Sequence, residues 1–206
     1  MGTASVQYVF INCPFDDHYK DLFDALIFAV SDSGFTPRCA LEVDDGSQIR
    51  IEKIFKIISD CRFGIHDISK TELDSVNDLP RFNMPLELGM FLGAKRFGSD
   101  ENPQKVCLIL DREPYRYQKF ISDIAGQDIR AHGNHPRVAI SIVRNWLRSA
   151  SPTTSMPGGE AIGNRYDVFR KELPSLCSKL HIATAELTFI DYTWFVTEWL
   201  GRNPWS

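Results

Sequence analysis

The chain has 206 residues and a mass of 23.5 kDa, which suits one α/β domain with an appendage or two small domains. A hydrophobic fraction of 43% is enough for a core and excludes disorder over most of the chain. The net charge of −4 argues against general affinity for nucleic acid or for an anionic membrane, because neither attracts an acidic surface.

Three features predict a cytoplasmic protein. No run approaches the roughly 20 apolar residues of a membrane helix. The N-terminus, MGTASVQYVFINCPF, lacks the basic and apolar regions of a secretory signal. Five widely spaced cysteines without a CxxC pair are typical of reduced thiols.

The chain begins with alternating strand and helix patterns. A buried strand is predicted over Gln7–Asn12, and apolar residues recur with helical spacing between Tyr19 and Ser33. A second strand is predicted over Phe35–Glu42. The helix that follows has its N-cap at Ser47, whose hydroxyl suits that position.

The alternation continues to residue 150. A third strand is predicted over Arg62–Ile68, and the helix after the next loop has Pro85 in its first turn. A fourth strand is predicted over Lys105–Leu110. The remaining predicted elements are a short helix over Tyr117–Ala125, a short strand over Asp128–His132 and a helix over Val138–Ser149.

This alternation predicts the fold class. Residues 1–150 are expected to form an α/β domain, a flavodoxin-like three-layer sandwich of about five parallel strands with helices on both faces. Ligands of such sheets bind beyond the carboxyl ends of the strands. The loops there are Asn12–Tyr19, Glu42–Ser47, Asp67–Asn83 and Asp111–Tyr117.

The C-terminal part of the chain differs in composition. Residues 151–164 are rich in proline, glycine, serine and threonine and predict a linker. Residues 165–206 predict a C-terminal helical extension, which is too small to fold alone. We expect it to pack on the α/β domain, on a second copy in a homo-oligomer, or on a partner.

The segment NMPLELGMFLGAK, residues 83–95, places Glu87 in the first turn of a helix at the carboxyl edge of the sheet. The helix dipole keeps a first-turn carboxylate ionised. A fixed carboxylate can stabilise or attack an oxocarbenium-like carbon. The alternative is that Glu87 only stabilises the start of its own helix.

Three blocks in this order resemble the TIR-like and nucleoside deoxyribosyltransferase-like superfamily of bacterial nucleotide-binding proteins. The blocks, which lie within residues 7–132, are VFINCPFDD, DDGSQIRIEKIFKIISDCRFGIHDIS and NMPLELGMFLG. The resemblance implies an N-glycosidase that cleaves NAD or a related nucleotide, in bacterial anti-phage defence or signalling. Glu87 then falls on the catalytic glutamate, and the nucleotide is the substrate, with no separate cofactor.

Two departures from the family pattern point to a changed substrate or a lost activity. Met84-Pro85 replaces the usual apolar pair, and the loop from Lys70 to Arg81 is longer than usual.

The proposed chemistry needs groups that bind the sugar. Cleavage at C1′ develops positive charge on the ribose, and hydrogen bonds to the ribose hydroxyls lower that barrier. The candidates are Asp67, Ser69 and Asn83, which otherwise serve as loop and cap residues.

Further substrate-binding candidates lie in the first loop and around the second strand. Phe15 suits stacking on a base or filling the core, and Asp16 suits accepting a hydroxyl. Ser47 suits a phosphate contact or a plain N-cap. The remaining candidates are Asn12, Pro14, and the pair Arg38 and Glu42, which suits base contacts or an ion pair.

Other hypotheses stay open. The chain could be a nucleoside deoxyribosyltransferase or hydrolase with Glu87 as covalent nucleophile. It could instead be a non-catalytic nucleotide sensor whose helical extension binds a partner. A phosphorylated receiver is disfavoured because the fifth strand does not end in lysine. No metal site is predicted, since His132 and His135 lack a third ligand.

Overall fold

A computed structural model describes residues 7–73, 78–98 and 104–205. It contains one sheet of five parallel strands in the order β2-β1-β3-β4-β5. This order is flavodoxin-like and confirms the predicted fold class. The strands are β1 Tyr8–Asn12, β2 Thr36–Arg38, β3 Phe63–Asp67, β4 Val106–Asp111 and β5 Arg130–Ala131.

Six α-helices lie in the described part of the chain. The helices pack on both faces of the sheet through apolar cores: Val9 and Ile11 face α1 and α4, whereas Phe10 faces α2 and α3. A smaller apolar cluster consists of Ile68, Leu88, Ile109 and Tyr117. None of the described helices combines the length and hydropathy that crossing a bilayer requires. The helices are α1 Lys20–Asp32, α2 Arg50–Asp60, α3 Asn83–Phe97, α4 Pro136–Ala150, α5 Gly159–Lys179 and α6 Phe189–Arg202.

The two edge strands are shorter than predicted. β2 keeps three residues of the predicted eight, and β5 keeps two. Each edge strand pairs with one neighbouring strand, β2 with β1 and β5 with β4. The helix predicted over residues 117–125 consists of two 3-10 turns, Arg116–Lys119 and Ser122–Ile124.

The predicted linker boundary is wrong. Helix α5 begins at Gly159, so six residues of the stretch 151–164 are helical. A Cβ at Gly159 would lie 2.9 Å from the Cα of Ser141, which shows that α5 crosses α4 in close contact. The glycine that indicated flexibility in the sequence permits this approach instead.

The helical extension packs on the α/β domain. Phe28 of α1 has its ring centroid 5.4 Å from that of Phe169 and 5.9 Å from that of Trp199. Residues 22–30 of α1 are all buried, because the sheet covers one side of this helix and the extension covers the other. The extension and the domain therefore share one core.

Candidate functional site

The carboxyl ends of β1 and β3 lie side by side, with Asn12 in register with His66. The chain leaves β1 toward α1 on one face of the sheet and leaves β3 toward α3 on the other. Such a reversal opens a crevice at the sheet edge, where doubly wound proteins bind ligands.

Glu87 lies on α3 near this crevice, but it is not in the first turn. The helix begins at Asn83, so Glu87 is its fifth residue. Its side chain is buried, at 6% exposure, and has no hydrogen-bond or ion-pair partner among the described residues. Burial raises its pKa to about 7, and the opposing effect of Arg50 is smaller. The expectation that the helix dipole keeps Glu87 ionised is therefore wrong.

Glu87 lies close to the end of β1. Cys13 is fully buried, and its thiol pKa is raised well above the usual range by burial first and then by nearby carboxylates. Those carboxylates include Asp67, Glu87 and Asp16. All three acidic side chains therefore act electrostatically on this buried residue, which directly follows β1.

Asn12 has a structural role at this point. Its side-chain amide donates to the carbonyl oxygen of Met84 at 2.9 Å and to Nδ1 of His66 at 3.0 Å. These bonds join the first turn of α3 to two strands and position the helix that carries Glu87. Burial lowers the pKa of His66 to about 3, so the ring is neutral and can accept this bond.

Asp67 is completely buried in a network that the sequence did not predict. Tyr19 donates its hydroxyl to Oδ2 at 2.5 Å, and the amide of Ser69 donates to Oδ1 at 2.8 Å. Nε2 of His132 lies 2.9 Å from Oδ2, although its N–H is not aimed along that line. The amide of Asn134 donates to Nδ1 of His132, which places the ring proton on Nε2. Asp67 is thus held by protein groups and is not available to bind ribose.

A second network fixes the loop after β3. The buried Arg116 donates to Oδ1 of Asp111 at 2.6 and 2.8 Å, and to the carbonyl oxygens of Ile68 and Ser69 at 3.1 and 2.7 Å. It also donates to the hydroxyl of Thr71 at 2.5 Å. The only sequence signal for this network was an acidic residue at the end of the fourth strand.

A cavity of about 610 Å³ opens above these networks, between the starts of α1 and α4 and the loops after β3 and β4. It contains two of the predicted substrate-binding residues, Asp16 and Ser69, but not Glu87. The single predicted site is therefore divided in two. The described lining residues are Asp16, His18, Tyr19, Asp21, Leu22, Ser69, Lys70, Glu72, Leu73, Arg81, Arg112, Asn134 and Pro136.

Three predicted residues lie around β2 and the start of α2. Arg38 and Glu42 form a two-pronged ion pair with both N–O distances at 2.5 Å. They line a pocket of about 180 Å³ and a second one of about 620 Å³, and neither lines the cavity of about 610 Å³. Ser47 is exposed and donates to Asp45, and the N-cap of α2 is Ile49, so the predicted cap is wrong.

The remaining predicted residues do not line the cavity of about 610 Å³. Phe15 packs edge-on against Phe23 with ring centroids 5.2 Å apart, which fits the core-filling alternative. Pro14 is buried, and Asn83 is exposed at the first position of α3. Within the described ranges, no three His, Cys, Asp or Glu side chains lie together as a metal centre requires.

No protein-family model matches the chain, and no curated protein matches it at a significant level. One similar solved structure is a diflavin flavoprotein A3 from Nostoc sp., with 12% sequence identity. The alignment covers 73% of this chain and 96% of that chain, with a TM-score of 0.41. Similarity of this degree carries no argument about the ligand or the activity of this chain.

Proposed function

We propose that this protein is an N-glycosidase that cleaves NAD or a related nucleotide, with Glu87 as the catalytic carboxyl. The observation that carries the proposal is the state of Glu87: it is buried at the switch point of the sheet, without a partner among the described residues. A buried carboxyl with a raised pKa, beside a ligand-binding edge, is typical of a catalytic group.

The raised pKa fits attack on a cationic substrate. With a pKa of about 7, Glu87 is close to half ionised at neutral pH. A nicotinamide ribose carries positive charge, which lowers the pKa of a neighbouring carboxyl and favours its anion. As the bond from C1′ to nitrogen breaks, its electron pair leaves with nicotinamide and the carboxylate stabilises the positive sugar. Water then adds to C1′ and releases a proton.

A second candidate function also rests on this pKa. A neutral base leaves more easily when it is protonated, and the acid form of Glu87 can supply that proton. Hydrolysis or transfer of a free nucleoside is therefore the alternative. If Glu87 acts there as a nucleophile, mass spectrometry of the trapped protein will show a covalent sugar adduct on its peptide.

The five cysteines are free thiols, which suits the reducing cytoplasm proposed as the site of action.

We propose that the nucleotide is a substrate and that no separate cofactor is bound. Sheets of this strand order also bind FMN at this edge, so a titration of the protein with FMN tests for a bound cofactor. If FMN binds tightly and prevents cleavage of NAD, the protein is a flavin-binding protein and the proposal that NAD is its substrate is wrong.

The decisive experiment measures nicotinamide release from NAD by the purified protein. Glu87→Gln is expected to lower the rate about 100-fold or more, because it removes the charge that stabilises the transition state. Glu52→Gln changes an exposed glutamate on α2 and serves as the matched control with an unchanged rate. Equal rates for wild type and Glu87→Gln, or no cleavage of NAD or nucleosides by the wild type, would contradict the proposal.

A further inference from the structure

The proposed glycosidase chemistry does not use the cavity of about 610 Å³, since Glu87 does not line it. Its volume falls within the range of small-molecule sites in proteins. Its walls come from four separate segments at the carboxyl edge of the sheet. We propose that this cavity is a second ligand site, separate from Glu87, and that it takes a sugar phosphate.

The cationic side chains of the cavity favour an anion at one position. Lys70 pairs with Asp16 at 2.8 Å, and Arg112 pairs with Glu72. Arg81 also lines the cavity, and it has no hydrogen-bond or ion-pair partner among the described residues. A guanidinium binds phosphate oxygens through two parallel hydrogen bonds, so Arg81 is suited to a phosphate.

Asp16 favours hydroxyl groups at a second position. The Asp16 side chain is 21% exposed, and its Oδ2 accepts from Lys70. A carboxylate oxygen has two lone pairs, so Oδ2 can accept a second hydrogen bond from a ligand hydroxyl. A ligand that carries both a phosphate and hydroxyl groups matches both features of the cavity.

Hydrogen bonds to buried side chains hold two parts of the cavity wall. The backbone carbonyl of Ser69, next to Lys70, accepts from the buried Arg116 at 2.7 Å. Tyr19, another lining residue, is held by its bond to the buried Asp67. Residues that are already held lose little conformational entropy on binding, which favours affinity for a small polar ligand.

Isothermal titration calorimetry with ribose 5-phosphate and with inorganic phosphate tests the proposal. The wild type is expected to bind ribose 5-phosphate more tightly than phosphate, with a Kd below about 1 mM. Arg81→Ala is expected to weaken both probes about tenfold. Arg96→Ala removes an exposed arginine outside the cavity and is the matched control, with unchanged binding.

Two further variants separate the parts of the inference. Asp16→Ala is expected to abolish the preference for ribose 5-phosphate over phosphate, because only the sugar uses the carboxylate. Glu87→Gln is expected to bind both probes as the wild type does, whatever its effect on NAD cleavage.

Three results would overturn the inference. They are no binding of ribose 5-phosphate at about 1 mM, unchanged binding by Arg81→Ala, and weakened binding by Glu87→Gln.

Discussion

Glu87 shows how burial can outweigh a helix dipole at a single residue. Four residues of α3 precede it, so it lies beyond the turn where the dipole acts strongly, and it loses most of its hydration. Ionisation of Glu87 therefore lowers the free energy of unfolding of the protein. This cost provides a test of the burial that is independent of any activity.

Glu87→Gln is expected to stabilise the protein at high pH only. The folded pKa is raised from 4.5 to about 7, so the native state binds more protons between those values and its stability falls as pH rises through them. Glutamine has no such loss. Urea unfolding is expected to show a gain of about 1 to 3 kcal/mol at pH 8 and little difference near pH 4. An equal effect at both pH values would contradict this.

The buried Asp67 yields a second prediction at the same scale. Tyr19→Phe removes one donor from a carboxylate with no access to water. The expected loss is about 1 to 3 kcal/mol in the free energy of unfolding, measured by urea denaturation. Tyr115→Phe removes the hydroxyl of a tyrosine that is 72% exposed and is expected to change little. If both variants lose the same stability, the network around Asp67 is not what Tyr19 stabilises.

At the scale of elements, the sequence correctly predicted the helices and strands whose buried residues follow a regular apolar pattern. The helical spacing between Tyr19 and Ser33 and the apolar run at Lys105–Leu110 correspond to α1 and β4. The pattern could not show that Gly159 lies inside a helix contact, because a glycine looks the same in a linker and at a close approach.

The candidate site was predictable only in part. Asp16 and Ser69 line the large cavity because loops after parallel strands meet at one edge. Burial of Asp67 against His132 could not be foreseen, since 65 residues separate them and neither belongs to a periodic pattern. The separation of Glu87 from the cavity depends on helix packing, which spacing along the chain does not contain.

The contact between α4 and α5 can be tested at Gly159. In Gly159→Ala, the new Cβ would lie 2.9 Å from the Cα of Ser141, and a backbone atom cannot move aside cheaply. We expect a loss of about 1 to 3 kcal/mol in the free energy of unfolding. Gly89→Ala meets open space on α3 and is expected to be neutral or to gain up to about 1 kcal/mol from helix propensity. Equal effects in thermal unfolding would contradict the close contact.

For the whole molecule, the shared core predicts that the domain and the extension unfold together. Three of the four tryptophans, Trp194, Trp199 and Trp205, lie in the extension, so fluorescence reports on it. Circular dichroism reports on all helices, and the two urea transitions are expected to coincide. Phe169→Ala is expected to shift both by about 3 to 5 kcal/mol. A fluorescence change that precedes the loss of helix would show that the extension is independent.

Pro37 has a consequence for how copies of this protein could associate. The amide of Thr36 donates to Gln7 on the β1 side, so the nitrogen of Pro37, one residue on, faces away from the sheet. That nitrogen carries no hydrogen, so the unpaired edge of β2 lacks a hydrogen-bond donor at its central residue. Strand addition from a neighbouring molecule would leave an acceptor unsatisfied there. Filaments built as one continuous sheet through this edge are therefore disfavoured.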